Sequence, residues 1–414
     1  MNRLIKNTAT ISVLTLLSRI LGVIRDAGIA MVFGTSLHTD AFFLAFKPFD
    51  LVRKLFSEGI LSISFIPEFS RVISEKGRNE AVIMAMSFLG FLSLTAAVII
   101  LLAFIFSGSA VALIAPGFAS GSSAAALTET LFVIMLPYLW CTMIIALCMG
   151  VLNTLGHFVI PALAPVLFNA TIISFTLLAC NYFDLPVTGL AAGVFAGGCV
   201  QVLIQIPVMW RYKMFNLKSF RLFHPSLIRV FKIMIPTMIG AASFQINIMV
   251  ASFFASQLKE GSVSFIYFAD RLVQFPLALF AVSVSTVLLP DFAHKASTNK
   301  LEQIAPLFTK GVRLVFYITF PAMAGLMALD QEIVRFLFGQ GRFDTYAVNQ
   351  TASCLFWLVT AFTAALNSSI KMLNMKTWSS LSGYAATGHF TVCLYIRLIP
   401  GKRDIRNGTG LLSN

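Results

Sequence analysis

Charged side chains are scarce in this chain of 414 residues. Asp, Glu, Lys and Arg together make up 11% of it, and hydrophobic types make up 58%. A soluble globular domain carries about 25% charged residues, so the composition excludes that class and implies an all-α polytopic membrane protein. A Gly-x-x-x-x-Gly-Lys-Ser/Thr phosphate loop is also missing, so ATP hydrolysis is not expected and the chain does not read as an enzyme. Its six cysteines (Cys141, Cys148, Cys180, Cys199, Cys354 and Cys393) form no Cys-x-x-Cys pair and no Cys/His cluster. That pattern supports neither a metal site nor a disulfide framework and leaves them as small hydrophobes in apolar runs. The first apolar run has embedded charges and no small-residue cleavage site, so no cleavable signal peptide is expected. The formal charge of +13 does not point to nucleic acid, because most of it lies in alternate loops, as membrane topology requires.

What the sequence does contain is a series of apolar runs, each about as long as a membrane span of 20 residues. They lie near 9–33, 41–66, 82–106, 128–151, 158–180, 187–210, 230–255, 262–289, 307–328 and 348–370. On one side the loops carry Arg3 and Lys6, then Arg71, Lys76 and Arg78, then Arg211, Lys213, Lys218, Arg221 and Arg229, then Lys295, Lys300 and Lys310. On the other side 107–127 and 181–186 have no Lys or Arg and 256–261 has only Lys259, while in 329–347 Arg335 and Arg342 are offset by Asp330, Glu332 and Asp344. The positive-inside rule then makes the N-terminus cytoplasmic.

An internal repeat is visible in S-I-S-F-I-P-E-F (62–69) and S-T-V-L-L-P-D-F (285–292), whose Pro67 and Pro290 are 223 residues apart. An even number of spans lies within that offset, so both copies share one orientation. This predicts two parallel-repeat helical lobes, 1–222 and 223–370, around a central cavity. The tail 371–414 is atypical. Its run 384–399 is short and contains His389 and Arg397, and crossing there would put Arg397, Lys402, Arg403 and Arg406 on the wrong side. The second lobe is therefore expected to be incomplete, with a truncated or altered end and at most a partial helix in the tail.

Three polar constellations interrupt the apolar runs. In S-R-I-L-G-V-I-R-D (18–26), Arg19 and Arg25 lie well inside the first span. A charge near the bilayer centre costs about 2.5–3.5 kcal/mol on insertion scales and so faces protein or water. Arg19 and Asp26 share a helix face while Arg25 points about 120° away, and Gly22 would permit a local kink. A buried Arg–Asp pair between helices would explain one arginine and leave the other. In the second span Lys47, Asp50, Lys54 and Glu58 fall within about 80° of one another, with Arg53 to one side, and Pro48 is expected to bend the helix. Snorkelling to the interface is the plainer reading of that stripe, but both charge signs are more than anchoring requires. In the eighth span Tyr267, Arg271 and Gln274 follow helical spacing, with Asp270 beside them. Convergence of Arg19, Arg25, Arg53 and Arg271 would suit a diphosphate, because guanidinium groups stay charged and bind phosphate oxygens bidentately.

With those residues in view, the chain resembles the MurJ (MviN-type) lipid II flippases of the multidrug/oligosaccharidyl-lipid/polysaccharide exporter superfamily. The motifs that carry the resemblance are S-R-I-L-G-V-I-R-D, F-G-x5-D-A-F-F-x-A-F-K (33–47), R-K-L-F-S-E-G (53–59), F-I-P-E-F (65–69), A-P-G-F (115–118), P-A-L-A-P-x3-N (161–169) and S-V-S-x3-F-A-D-R-L-V-Q-F-P (262–276). The resemblance implies a multi-pass inner-membrane transporter that moves a lipid-linked peptidoglycan precursor to the outer leaflet by alternating access. Substrate contacts would come from Arg19, Arg25, Arg53 and Arg271, with Asp40 and Ser264 as additions. Asp26, Lys47, Asp50, Lys54, Glu58, Asp270 and Gln274 would form a supporting polar cavity. It also implies no cofactor, a membrane potential or ion gradient as the energy source, and a monomer with cell-wall synthesis proteins as candidate associates. Lys47-Pro48-Phe49-Asp50 and Gln274 depart from the family pattern. The alternatives are a flippase for another polyprenyl-diphosphate glycan, a cation-coupled drug exporter of the same superfamily, and a non-transporting remnant.

Overall fold

The computed structural model describes residues 2–56, 60–119, 121–183, 185–215, 224–276 and 304–374, and the described residues contain helices and no strand. In chain order these are α1 (Asn2–Phe33), α2 (Leu37–Leu55), α3 (Leu61–Lys76), α4 (Arg78–Ile105), α5 (Ser107–Ile114), α6 (Ser123–Thr154), α7 (Val159–Tyr182), α8 (Pro186–Arg211) and α9 (Ser226–Ala255). Then come α10 (262–276), α11 (Ile304–Ala328), α12 (Asp330–Phe338) and α13 (Thr345–Asn374). Among the described residues α4, α6, α7 over Val159–Leu178, and α8 are each long and apolar enough to cross a membrane. The chain is a multi-pass membrane protein.

Most elements follow the sequence closely, but two expected loops differ. The run expected as one span at 41–66 holds α2, which ends at Leu55, and α3, which begins at Leu61; Phe56 and Ile60 are helical too, and 57–59 lie outside the described residues. Arg53 and Lys54 occupy the last turn of α2, where cations offset the negative end of the helix dipole. The loop expected at 107–127 opens with α5, and the one at 329–347 opens with α12, which turns 79° from the end of α11. Asp330 and Glu332 in the first turn of α12 and Arg335 in its last match the dipole at both ends. Val334 and Phe338 give it one buried face. Pro48 lies inside the continuous helix α2. The motif 285–292 and Glu58 lie outside the described residues, as does the tail from 375.

The helices fall into two compact units, Met1–Val263 and Ser264–Asn414. In the first, α7 packs on α1 and α8, α6 packs on α2, α4 and α8, and α3 packs on α4 and α9. Glycines make the α8 contacts close. A Cβ on Gly193 would lie 2.7 Å from Phe175 Cβ, one on Gly197 2.8 Å from Phe168 Cδ2, and one on Gly198 2.5 Å from Tyr138 Cδ2. Small residues serve helix contacts in membranes in this way, because lipid offers no hydrophobic drive and close packing must hold the pair. A stacked aromatic core, Phe65 with Phe69 at 5.0 Å and with Phe88 at 5.2 Å, joins α3 to α4. In the second unit α12 and α11 pack on α13, and Phe268 of α10 meets Phe338 at 4.9 Å and Phe343 at 5.4 Å.

Element starts recur along the chain. The starts of α10, α12 and α13 are 262, 330 and 345, against 37, 107 and 123 for α2, α5 and α6. The offsets are 225, 223 and 222 residues, bracketing the spacing of Pro67 and Pro290. The recurrence includes the short α5 and α12, each of which directly follows a long helix.

Candidate functional site

Helix side chains tilt back toward the N-terminus, and Arg25 of α1 lies back over the turn that holds Gly22. Its Nε and Nη2 donate to Asp26 Oδ1 at 2.9 and 2.7 Å, and its Nη1 donates to Asn169 Oδ1 on α7 at 3.0 Å. Asn169 Nδ2 in turn donates to the Ser18 carbonyl at 3.0 Å. The side chains of Arg25 and Asp26 are 11% and 5% exposed, so this ion pair is nearly dry. The buried Arg–Asp pair is thus formed within α1, between neighbours, and not between helices. Arg19 is half-buried and makes no hydrogen bond or ion pair among the described residues.

On α2, Asp50 gathers two cations. Arg53 Nη2 lies 2.6 Å from Asp50 Oδ1, and Lys54 Nζ lies 3.0 Å from Oδ2. Spacings of three and four residues bring both cations onto the carboxylate's face. Arg53, expected to one side of the stripe, folds onto it. Phe49 against Phe132 of α6, at 5.3 Å, holds this turn in place. Lys47 is half-buried one turn earlier. The Arg25–Asp26 pair is neutral, whereas the group of Asp50, Arg53 and Lys54 keeps one net positive charge.

At the N-terminal end of α2 the contacts are of another kind. Asp40 is 2% exposed and its Oδ2 accepts the Gly261 N–H at 2.7 Å, while Glu260 Oε1 accepts the Leu37 N–H at 2.7 Å. Each carboxylate meets a free amide at the start of the other helix, where the dipole favours negative charge. Nearby, Gly117 donates its N–H to Ser256 Oγ at 3.2 Å. A Cβ on Gly117 would sit 1.9 Å from the Ser256 carbonyl oxygen, so only glycine permits this approach. Asp40 therefore holds backbone at a helix junction.

In the second unit Arg271 of α10 donates Nη2 to the Tyr267 hydroxyl at 2.9 Å, with its Cζ 4.9 Å from the Tyr267 ring centroid. Gln274 donates to Asp270 Oδ2, and Ser264 is fully buried. Asn169 and Glu260 belong with these groups although sequence reasoning left them out. The signal for Asn169 was a lone amide in the middle of an apolar span, and for Glu260 an acid in the short loop before α10. No group of three or more His, Cys, Asp or Glu suited to a metal ion occurs among the described residues.

Comparison with known proteins gives one consistent result. The family model described as lipid II flippase MurJ matches residues 29–370. A probable lipid II flippase MurJ of Buchnera aphidicola subsp. Acyrthosiphon pisum is 36% identical over 352 residues, covering 85% of this chain and 69% of that one. One from Vibrio cholerae is 33% identical over 360 residues, with the same coverages of 85% and 69%. Among solved structures, a lipid II flippase MurJ in an inward closed conformation superposes with a TM-score of 0.74 at 24% identity, covering 94% of this chain and 86% of that one. An inward-facing multidrug resistance MATE family transporter gives 0.69 at 16% identity, covering 91% and 83%. At those identities both structures speak for the fold alone.

Proposed function

The chain belongs to the MurJ family of lipid II flippases, and from that premise we propose how its residues serve lipid II transport. The chain carries the undecaprenyl-diphosphate-linked peptidoglycan precursor from the cytoplasmic to the outer leaflet of the inner membrane. It does so by alternating access between two parallel-repeat lobes, with the N-terminus cytoplasmic. Arg19, Arg25, Arg53 and Arg271 engage the diphosphate, and no enzymatic step is involved. The observation that carries this reading is the α1 group, a half-buried Arg19 and a nearly dry Arg25 inside an apolar helix. Asp26 already pairs with Arg25, but Arg19, with no such pairing among the described residues, is costly there unless an anion uses it.

The likeness to drug exporters is one of fold and brings no substrate with it. A cation-coupled exporter would need a carboxylate open to its cation, and the two carboxylates beside the α1 and α2 arginines, Asp26 and Asp50, are each paired with arginine. The energy source is the membrane potential or an ion gradient. The chain acts as a monomer, with cell-wall synthesis proteins as its associates.

The test is complementation of cells depleted of their own lipid II flippase, with membrane insertion checked by blotting. Survival with the parent chain, and its loss with Arg25→Ala or Arg271→Ala at equal insertion, is the expected result. Death despite stable insertion of the parent chain would overturn the activity, and survival of both variants would overturn the arginine roles.

A further inference from the structure

Asn169 lies outside every role assigned so far, yet it is the residue that ties α7 to the arginine turn of α1. It is 7% exposed in the middle of an apolar helix, where a primary amide is costly unless both its ends are used. Both are used, by α1 alone. Arginine only donates and a carbonyl only accepts, so the contacts to Arg25 Nη1 and the Ser18 oxygen, each 3.0 Å, fix the amide orientation unambiguously. Access to this turn is open because position 22 is glycine. An added Cβ would meet Asn169 Nδ2 at 3.8 Å, and any longer side chain would compete for the place of the amide.

We propose that Asn169 is a positioning residue for Arg25, fixing its guanidinium from α7 without neutralising it. The proposal rests on the reading of Arg25 as a diphosphate ligand. Asp26 already supplies one full negative charge to Arg25. A second carboxylate would give the pair a net negative charge and repel a diphosphate, whereas an amide offers the same acceptor with no charge. Because Asn169 also bonds Ser18, about two turns earlier on α1, the guanidinium is referenced to its own helix and stays aimed while α1 and α7 remain packed. Preorganisation of this kind acts on affinity by removing the cost of ordering a long side chain.

The test uses the purified full chain in detergent, titrated with undecaprenyl diphosphate, with unfolding temperature recorded for every variant. Asn169→Leu keeps the volume and removes both bonds, and it should weaken binding about tenfold, the effect of losing one bond to a charged group. Asn169→Asp keeps the acceptor and adds charge, and should bind more weakly than Asn169→Leu. If Asn169→Leu does not accumulate, Asn169→Ser, smaller and still polar, carries the same comparison. Unchanged affinity in a folded Asn169 variant, with Arg25→Ala losing affinity in parallel, would overturn the positioning role and leave the transport reading standing. Unchanged affinity in Arg25→Ala would remove the premise itself. A purely structural role would lower the unfolding temperature and leave the affinity, and the order of the Leu and Asp variants, unaltered.

Discussion

Arg25, Arg53 and Arg271 are each held in their own way, and the differences set what a substitution should do. Arg25 shares a nearly dry pair with Asp26, so the charge is balanced before any ligand arrives. On α2, Asp50 serves both Arg53 and Lys54, and the formal charges of the three sum to +1. Replacing Asp50 with Asn should act in two directions. Removing the carboxylate takes an ion-pair partner from both cations, at a cost of about 2 kcal/mol of stability given their partial exposure. The net charge rises by one, so binding of undecaprenyl diphosphate should tighten several-fold at low salt, with the gain fading as salt screens it. A thermal unfolding series together with binding at two ionic strengths checks both. Tighter binding that ignores salt would rule out the electrostatic account.

At the scale of elements, much of the helix order was legible because apolar runs of span length have few other interpretations. What escaped were the short elements. At 8 and 9 residues, α5 and α12 are too short to stand out from loops. The reciprocal caps between Asp40 and Gly261 and between Glu260 and Leu37 were hidden for another reason. They join residues 221 and 223 positions apart through backbone amides, and backbone leaves no trace in the side-chain pattern. Asn169 was visible as part of P-A-L-A-P-x3-N but could not be assigned, since its partners are a carbonyl and an arginine 144 residues away.

The junction at Gly117 gives a prediction at the same scale. Adding a methyl group 1.9 Å from the Ser256 carbonyl oxygen forces the 115–118 turn away from 256. The amides of Leu37, Gly117 and Gly261 should then exchange with solvent faster in Gly117→Ala, by roughly tenfold for about 1.4 kcal/mol of local opening. Ser256→Ala, which removes only the hydroxyl acceptor of Gly117, should change Gly117 and spare the other two. Equal protection in parent and Gly117→Ala would mean that the turn yields elsewhere and that glycine is not required there.

For the whole molecule, recurrence of helix starts at 222 to 225 residues and alternation of loop charge are independent features with one consequence. Elements one repeat apart should enter the membrane from the same side. The charge rule fixes that side only as a bias summed over short loops, so it needs a direct check at one crossing. The best placed is α4, whose 28 residues span about 42 Å, more than the hydrocarbon core of about 30 Å. Lys76, the last residue of α3, precedes it among Arg71 and Arg78, Ala119 follows in a segment without Lys or Arg, and both are exposed. A membrane-impermeant maleimide should label Ala119→Cys in intact cells and Lys76→Cys only after permeabilisation, in a background that keeps the buried Cys141 and Cys148 and has Cys180, Cys199, Cys354 and Cys393 replaced by Ala. The reverse pattern would invert the whole topology, and with it the direction in which the arginines could receive a precursor made in the cytoplasm. Labelling of both from one side would show that α4 does not cross. That outcome would remove the apolar helix least able to be accommodated any other way, since along its outer face Leu94, Val98, Leu101 and Phe104 are all exposed and only lipid or another apolar surface can cover them.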